Sequence, residues 1–303
     1  RHWTPERSAT VDQALRAIIG FERPRARGNF PLHDPRVQSD RRPLNCRLSM
    51  TATGSALAIV TGTSSGIGAT LAQQLLDREW SVIGLSRAPG PIRSLRYRHV
   101  AIDLADPDQL LITLDREIGP LSAETSIDRV ALINNAADVA LLGQLATIEP
   151  GPMMRAYAVN TVSPVLLMGW VLRSAASRVP VRIVNVSSGA AVEPVPGMGG
   201  YSATKAALRI AGMVLAPELD LQASTTGVAR DVAIWSYEPG IVDTPMQAAV
   251  RSSAPDRLPI VEVFRQLSDN KQLTDPSVPA ASILQFIESD GHPRFSEQRF
   301  HFQ

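Results

Sequence analysis

The chain has 303 residues, 44% of them hydrophobic, enough to bury one large α/β core or two small ones. Its formal charge of +1 is unevenly spread, with ten Arg against five acids in residues 1–49 and a mildly acidic remainder, which argues against a nucleic-acid partner. The single Cys46 rules out a disulfide framework and a thiolate metal site, the five scattered histidines give no helical zinc pair, and no apolar run approaches the roughly 20 residues that cross a bilayer.

Residues 1–49 hold five prolines and show helical periodicity only in "VDQALRAIIG". Met50, just ahead of "TATGSALAIVTG", looks like a translation start. The first 49 residues are therefore expected to be a disordered arm or a translated leader, with the folded domain over 50–303. A mitochondrial transit peptide is the alternative, favoured by Arg without Lys and opposed by the five acids.

From Ala56 onward, short apolar β-type runs alternate with helical patterns. "ALAIVTG" predicts a strand, "GATLAQQLLDREW" a helix with Leu71, Leu75 and Leu76 on one face, and "SVIGLS" a second strand. "RHVAIDL" and "RVALINN" predict strands around a helix near 106–118. A long helix near 153–176 leads to "VRIVNVSS", and another near 201–215 leads to "DVAIWSYEPG". Near-continuous apolar strands separated by helices imply a parallel sheet covered on both faces, a single doubly wound Rossmann-type α/β domain.

"TGTSSGIG", Thr61–Gly68, joins the first strand to the first helix. Gly62 permits a tight exit from the strand, Gly66 lets a phosphate approach the backbone, and Gly68 lets helix and sheet pack closely. With Ser64, Ser65 and Ile67 these residues would set a pyrophosphate on the positive end of the helix. The second strand ends in Ser86 and Arg87, and no carboxylate follows until Asp103. An acid at the strand end would take the adenine ribose of NAD, whereas a guanidinium matches a phosphate, so NADP(H) is the expected cofactor.

Only two lysines occur, and Lys205 stands four residues after Tyr201, one of four tyrosines. That spacing stacks them on one helix face. An ammonium beside a phenol is expected to favour the phenolate and bring the group toward working range. Ser188, closing "VRIVNVSS", sits where doubly wound folds bind ligands and can donate to a substrate carbonyl oxygen; Ser187 is its neighbour and the alternative.

The Gly-x-x-x-Gly-x-Gly loop followed by Tyr-x-x-x-Lys resembles the short-chain dehydrogenase/reductase family from about Ala56 to the C-terminus. The resemblance implies a seven-stranded parallel sheet. It implies carbonyl reduction with Tyr201 as proton donor, Lys205 tuning it, Ser188 orienting the substrate and Asn160 ordering a water beside the lysine. Asp103 and Leu104 would address the adenine, and Asn134 in "NNAA" would line the adenosine side, although Ala137 stands where the family usually has Gly. Pro239, Gly240, Val242 and Thr244 in "PGIVDTP" would hold the nicotinamide.

Within the family, "EPGIVDTPMQAAVR" and the C-terminal stretch are similar to the group of sepiapterin and benzil reductases. Sepiapterin reductase anchors its pterin through an aspartate in the last strand, where this chain reads "RFHF" with His301. A hydrophobic diketone or aryl ketone is accordingly the expected substrate, with 246–267 as a lid. A cytoplasmic homodimer or homotetramer through the long helices is implied. A cofactor-binding regulator without turnover is the competing reading, and a nucleotide-sugar epimerase a third, which normally needs a larger C-terminal domain.

Overall fold

A computed structural model describes residues 55–298; the leader, the "VDQALRAIIG" helix, Met50, Cys46 and the "RFHF" stretch with His301 lie outside the described residues. The chain runs β1 (Ser55–Thr61), α1 (Gly66–Asp77), β2 (Ser81–Ser86), β3 (Tyr97–Ala101), α2 (Pro107–Glu117) and β4 (Ile127–Asn134). It continues through α3 (Pro150–Tyr157), α4 (Ser163–Ser174), β5 (Val181–Val186), α5 (Gly199–Thr226) and β6 (Val232–Tyr237). Two short helices, α6 (Pro245–Arg251) and α7 (Val261–Asp269), precede α8 (Ser277–Glu288) and β7 (Phe295–Gln298).

All seven strands pair parallel in the order β3-β2-β1-β4-β5-β6-β7. The apolar runs are explained by burial on both faces. Leu57, Ile59, Val130, Leu132 and Ile183 pack beneath α2, α4 and α5, while Ala58, Val60, Ala131, Ile133 and Val184 pack against α1 and α8. The chain moves outward from β1 to β3, then returns to β4 on the other side of β1. The carboxyl ends of β1 and β4 therefore flank the crevice where such sheets bind ligands.

Two helices differ from expectation. The predicted 153–176 helix begins at Pro150 and is interrupted by a π-turn, Ala158–Val162, where the Ser163 amide reaches back to the Ala158 carbonyl. Pro164 has no N–H to give the Asn160 carbonyl four residues earlier, so the wider turn costs little at this point. The helix predicted over 201–215 continues past Pro217 to a left-handed cap at Gly227, φ +72°. Ala216 and Leu219 are buried on either side of the proline and hold the helix in place, while the weakened turn at Met213 and Val214 faces outward. Among the described residues, no helix is long and apolar enough to cross a membrane.

Candidate active site

At the carboxyl edge of the sheet lies a cleft of about 810 Å³. Its floor begins with the loop after β1. Gly62 and Gly66 have φ of +75° and +56°, conformations that L side chains rarely adopt. Gly68 is fixed by space: a Cβ there would lie 2.3 Å from the Gly62 carbonyl oxygen and 2.5 Å from Asn135 Nδ2. The Gly62 amide donates to Leu85 O at 2.8 Å, and the first turn of α1 has no side-chain cap on its N–H groups. That leaves a backbone cradle shaped for an anion. Ser64, Ser65, Gly66 and Ile67 line the cleft; Gly68 lies beneath, where it brings α1 against the loop.

Beside the loop, Ser86 pairs in register with Ala101, so Arg87 and Asp103 leave adjacent strands side by side. Both line the cleft, with Leu104. Burial pulls the Asp103 carboxyl up, but the Ala105 amide, the Arg155 guanidinium and the field of Arg87 together outweigh it and hold it below the ordinary carboxylate value. Arg155, from α3, reaches Asp103 at 3.3 and 3.4 Å and Asp138 at 3.2 Å.

Asn134 is not on the cleft wall. It is 1% exposed and donates through Nδ2 to Asn185 Oδ1 at 2.8 Å, because strand alternation turns it toward α4. Asn135, one residue on, lines the cleft; its side chain donates to Thr61 O at 2.8 Å, and the Asn135 and Ala136 amides both donate to Thr61 Oγ1 at 2.9 Å. These bonds tie the end of β4 to the end of β1.

At the other end, Ser188, Tyr201 and Lys205 converge. Ser188 follows β5, accepts from the Ala190 amide at 3.3 Å and shares a hydrogen bond with the Tyr201 hydroxyl. Ser187 also faces the cleft, and its Oγ, although buried, has no hydrogen-bond partner among the described residues. Tyr201 and Lys205 lie one turn apart on α5, with Lys205 Nζ 5.9 Å from the Tyr201 ring centroid and donating to Val186 O at 2.8 Å. Lys271, by contrast, is exposed just after α7. The expected lowering of the phenol is not what the geometry gives. Burial dominates both groups, pushing Tyr201 up to about 12 against a small opposing effect of the Ser188 hydrogen bond, and Lys205 down to about 8.

Asn160 lies in the π-turn, and its side chain ties two parts of the site together. Its Nδ2 donates to Asp138 O at 2.9 Å and Thr204 Oγ1 at 3.0 Å, and its Oδ1 accepts from the Asp138 amide at 2.6 Å. The side chain is fully used as a brace between the loop after β4 and α5, where Thr204 donates in turn to Tyr201 O at 2.7 Å. Beyond Thr244, which caps α6 by accepting from the Gln247 amide at 3.2 Å, Pro239, Gly240 and Val242 complete the wall. Thr244 Cγ2 lies 3.0 Å from where a Gly66 Cβ would be, so that wall meets the glycine loop. Among the described residues no group of three or more His, Cys, Asp or Glu could hold a metal ion.

A doubly wound sheet carrying a glycine cradle at one end of its cleft and a Ser–Tyr–Lys cluster at the other defines a class of nicotinamide-dependent oxidoreductases. The family model for short chain dehydrogenase matches residues 56–255, and the chain belongs to this family. It is therefore an oxidoreductase acting on C=O or CH–OH groups of small molecules with a nicotinamide cofactor. It is 30% identical to benzil reductase ((S)-benzoin forming) of Bacillus subtilis (strain 168) over 241 residues, covering 77% of this chain and 93% of that one. Sepiapterin reductase of Xenopus laevis is 29% identical over 262 residues, covering 80% and 94%. A short-chain dehydrogenase/reductase structure from Saccharomyces cerevisiae aligns with a TM-score of 0.65 at 26% identity, covering 80% of this chain and 96% of that one.

The sequence reading missed Asn135, Asp138, Arg155 and Thr204. Thr204 had a signal, standing three residues after Tyr201 on the same helix face. Arg155 had none, because its partner Asp103 is 52 residues away.

Proposed function

We propose that the protein is an NADPH-dependent reductase of ketones, diketones or aldehydes, with Tyr201 as the proton donor. The observation that carries this is the convergence of Ser188, Tyr201 and Lys205 on the cleft that the glycine loop opens. The residues fit the cofactor. Gly62 and Gly66 hold the loop in conformations open to glycine, the first turn of α1 has no side-chain cap on its amides, and the orphaned Ser187 Oγ lies at the reacting end. Gly62, Ser64, Ser65, Gly66 and Ile67 would hold the pyrophosphate, Arg87 the adenosine phosphate, Asp103 and Leu104 the adenine. Pro239, Gly240, Val242 and Thr244 would border the nicotinamide.

When bound, the reduced dinucleotide supplies hydride to the carbonyl carbon. Tyr201 Oη, held protonated by burial, gives its proton to the carbonyl oxygen, so the C=O becomes CH–OH. Ser188 Oγ donates to the same oxygen while charge builds there. Lys205 steadies the phenolate that Tyr201 becomes and recovers its proton for the next turnover. Asn160 and Thr204 act by positioning, fixing the first turns of α5 against the loop after β4.

Val139, Val195, Met198, Ile260, Val263 and Phe264 give the substrate end an apolar wall, which suits a hydrophobic diketone or aryl ketone, in keeping with the benzil reductase relatives. Segments α6 and α7 form the lid over this wall. Val162 and Val165, exposed at the head of α4, and Ile210, Met213 and Val214 on α5 provide apolar faces for assembly into a homodimer or homotetramer. A cytoplasmic location belongs to the same reading.

The test is an NADPH-oxidation screen over aldehydes, ketones and diketones, with Tyr201→Phe in parallel. Turnover that drops at least a hundredfold in Tyr201→Phe is the expected result. A variant kcat within threefold of wild type removes the proton-donor role, and cofactor binding without any turnover favours a silent regulator instead.

A further inference from the structure

We propose that Arg155 sets cofactor choice by neutralising Asp103, which otherwise stands beside the seat of the adenosine phosphate. The proposal rests on the reading of Arg87 as the partner of that phosphate. Register puts Arg87 and Asp103 at neighbouring strand ends, and both line the cleft with Arg155. A carboxylate at this place is useful to the adenine, whose exocyclic amine needs an acceptor, but its charge opposes a phosphate dianion seated beside Arg87. Arg155 resolves the conflict. It is anchored to Asp138 through Nε at 3.2 Å and lays both terminal nitrogens on Asp103 at 3.3 and 3.4 Å.

Asp138 cannot easily swing away, because its backbone N–H and C=O are both held by the Asn160 side chain. The guanidinium is thus presented to Asp103 from a fixed post. Asp103 keeps lone pairs for adenine while its field at the phosphate is cancelled. With Arg155 removed, the adenosine end, where Arg87 and Arg155 balance Asp103 and Asp138, gains a net negative charge.

For a separation on the order of 8 Å, an uncompensated carboxylate facing a dianion, at an effective dielectric of about 40 and under physiological salt, changes affinity by about fourfold. NADH, which lacks the phosphate, feels little of this. Arg155 is in this sense a specificity-determining residue distinct from Arg87. Arg87 attracts the phosphate; Arg155 removes a repulsion.

The experiment titrates full-length protein with NADPH and NADH by nicotinamide fluorescence, for wild type, Arg155→Met, Asp103→Asn and the double variant. The expected result is that Arg155→Met loses about fourfold on NADPH relative to NADH, and that adding Asp103→Asn restores the NADPH preference. Asp103→Asn alone, which keeps the fold even if Arg155→Met does not, raises the NADPH-to-NADH affinity ratio. A purely structural role for Arg155 weakens both cofactors equally, and that outcome, or a double variant that does not recover, overturns the proposal. A wild type preferring NADPH with an unchanged ratio in Arg155→Met sinks this inference alone. A wild type preferring NADH sinks the NADP reading with it.

Discussion

Lys205 is 2% exposed and carries its charge where the fold would sooner have none. Burial lowers its ammonium from 10.5 to about 8, so at pH 7 the folded state must protonate a group that it holds at a disadvantage. At about 1.4 kcal/mol per unit, that disadvantage is about 3 kcal/mol. Lys205→Met keeps most of the apolar stem and removes the charge. It also removes the Nζ bond to Val186 O, worth about 1 kcal/mol, leaving a net gain of about 2 kcal/mol at pH 7. Below pH 8 both folded and unfolded lysine are protonated and the cost is fully present. Between about 8 and 10.5 the folded lysine is neutral while the unfolded one still binds a proton, so wild-type stability rises through this window and the advantage of the variant disappears. Urea denaturation of both proteins at pH 7 and pH 10.5 measures this directly. A variant that is no more stable at pH 7, or a difference that is the same at both pH values, refutes the idea that burial governs this lysine. Activity should be lost in the variant either way, since stability and turnover make opposite demands on the same ammonium.

The same lowered lysine predicts a pH–rate profile: kcat/KM for reduction, which reports groups of the free enzyme, should be level below about 8 and fall tenfold per unit above it, with no limb from Tyr201 before about 12. Gly68→Ala should cost about 2 kcal/mol and abolish cofactor binding, because the atom in its way is the Gly62 backbone oxygen and α1 must shift; calorimetry and a cofactor titration check both. Arg182, fully buried at the amino edge of β5, forks onto Asp231 at 2.9 and 3.1 Å and reaches Asp290 at 2.7 Å. Removing the two acids together should cost about 4 kcal/mol by stranding a buried cation, more than Arg182→Met, which leaves Asp290 paired with Arg129 and Asp231 more than half exposed, and denaturation midpoints with unchanged kcat would show it.

The legible parts of this molecule were those where a single local pattern decides the structure. Apolar runs such as "ALAIV" announce strands buried on two faces, and the glycine spacing announces a turn that no other residue fits. Tyr201 and Lys205 were legible because a four-residue spacing on a helix is a spatial statement. Their electrostatics were not, because the phenol and the ammonium answer first to the surrounding burial and only then to each other. Asn134 and Asn135 show a finer limit. They are chemically identical neighbours, and only the strand's parity, set by Val130 and Leu132 facing α4, decides which of them reaches the cleft. Pro217 reads as a helix end in isolation and is overruled by the packing of Ala216 and Leu219.

The π-turn at Ala158–Val162 holds one residue more than an ordinary helical turn would. Five residues of so wide a turn sweep about the same angle as four of an α-helix, so the extra residue is taken up locally and the helical segments on either side keep the faces that an unbroken helix would give them. The adjustment falls on Asn160 and its neighbours, while Arg155 upstream and Leu167 downstream stay on course. The bulge thus re-aims one residue without re-aiming the helices around it.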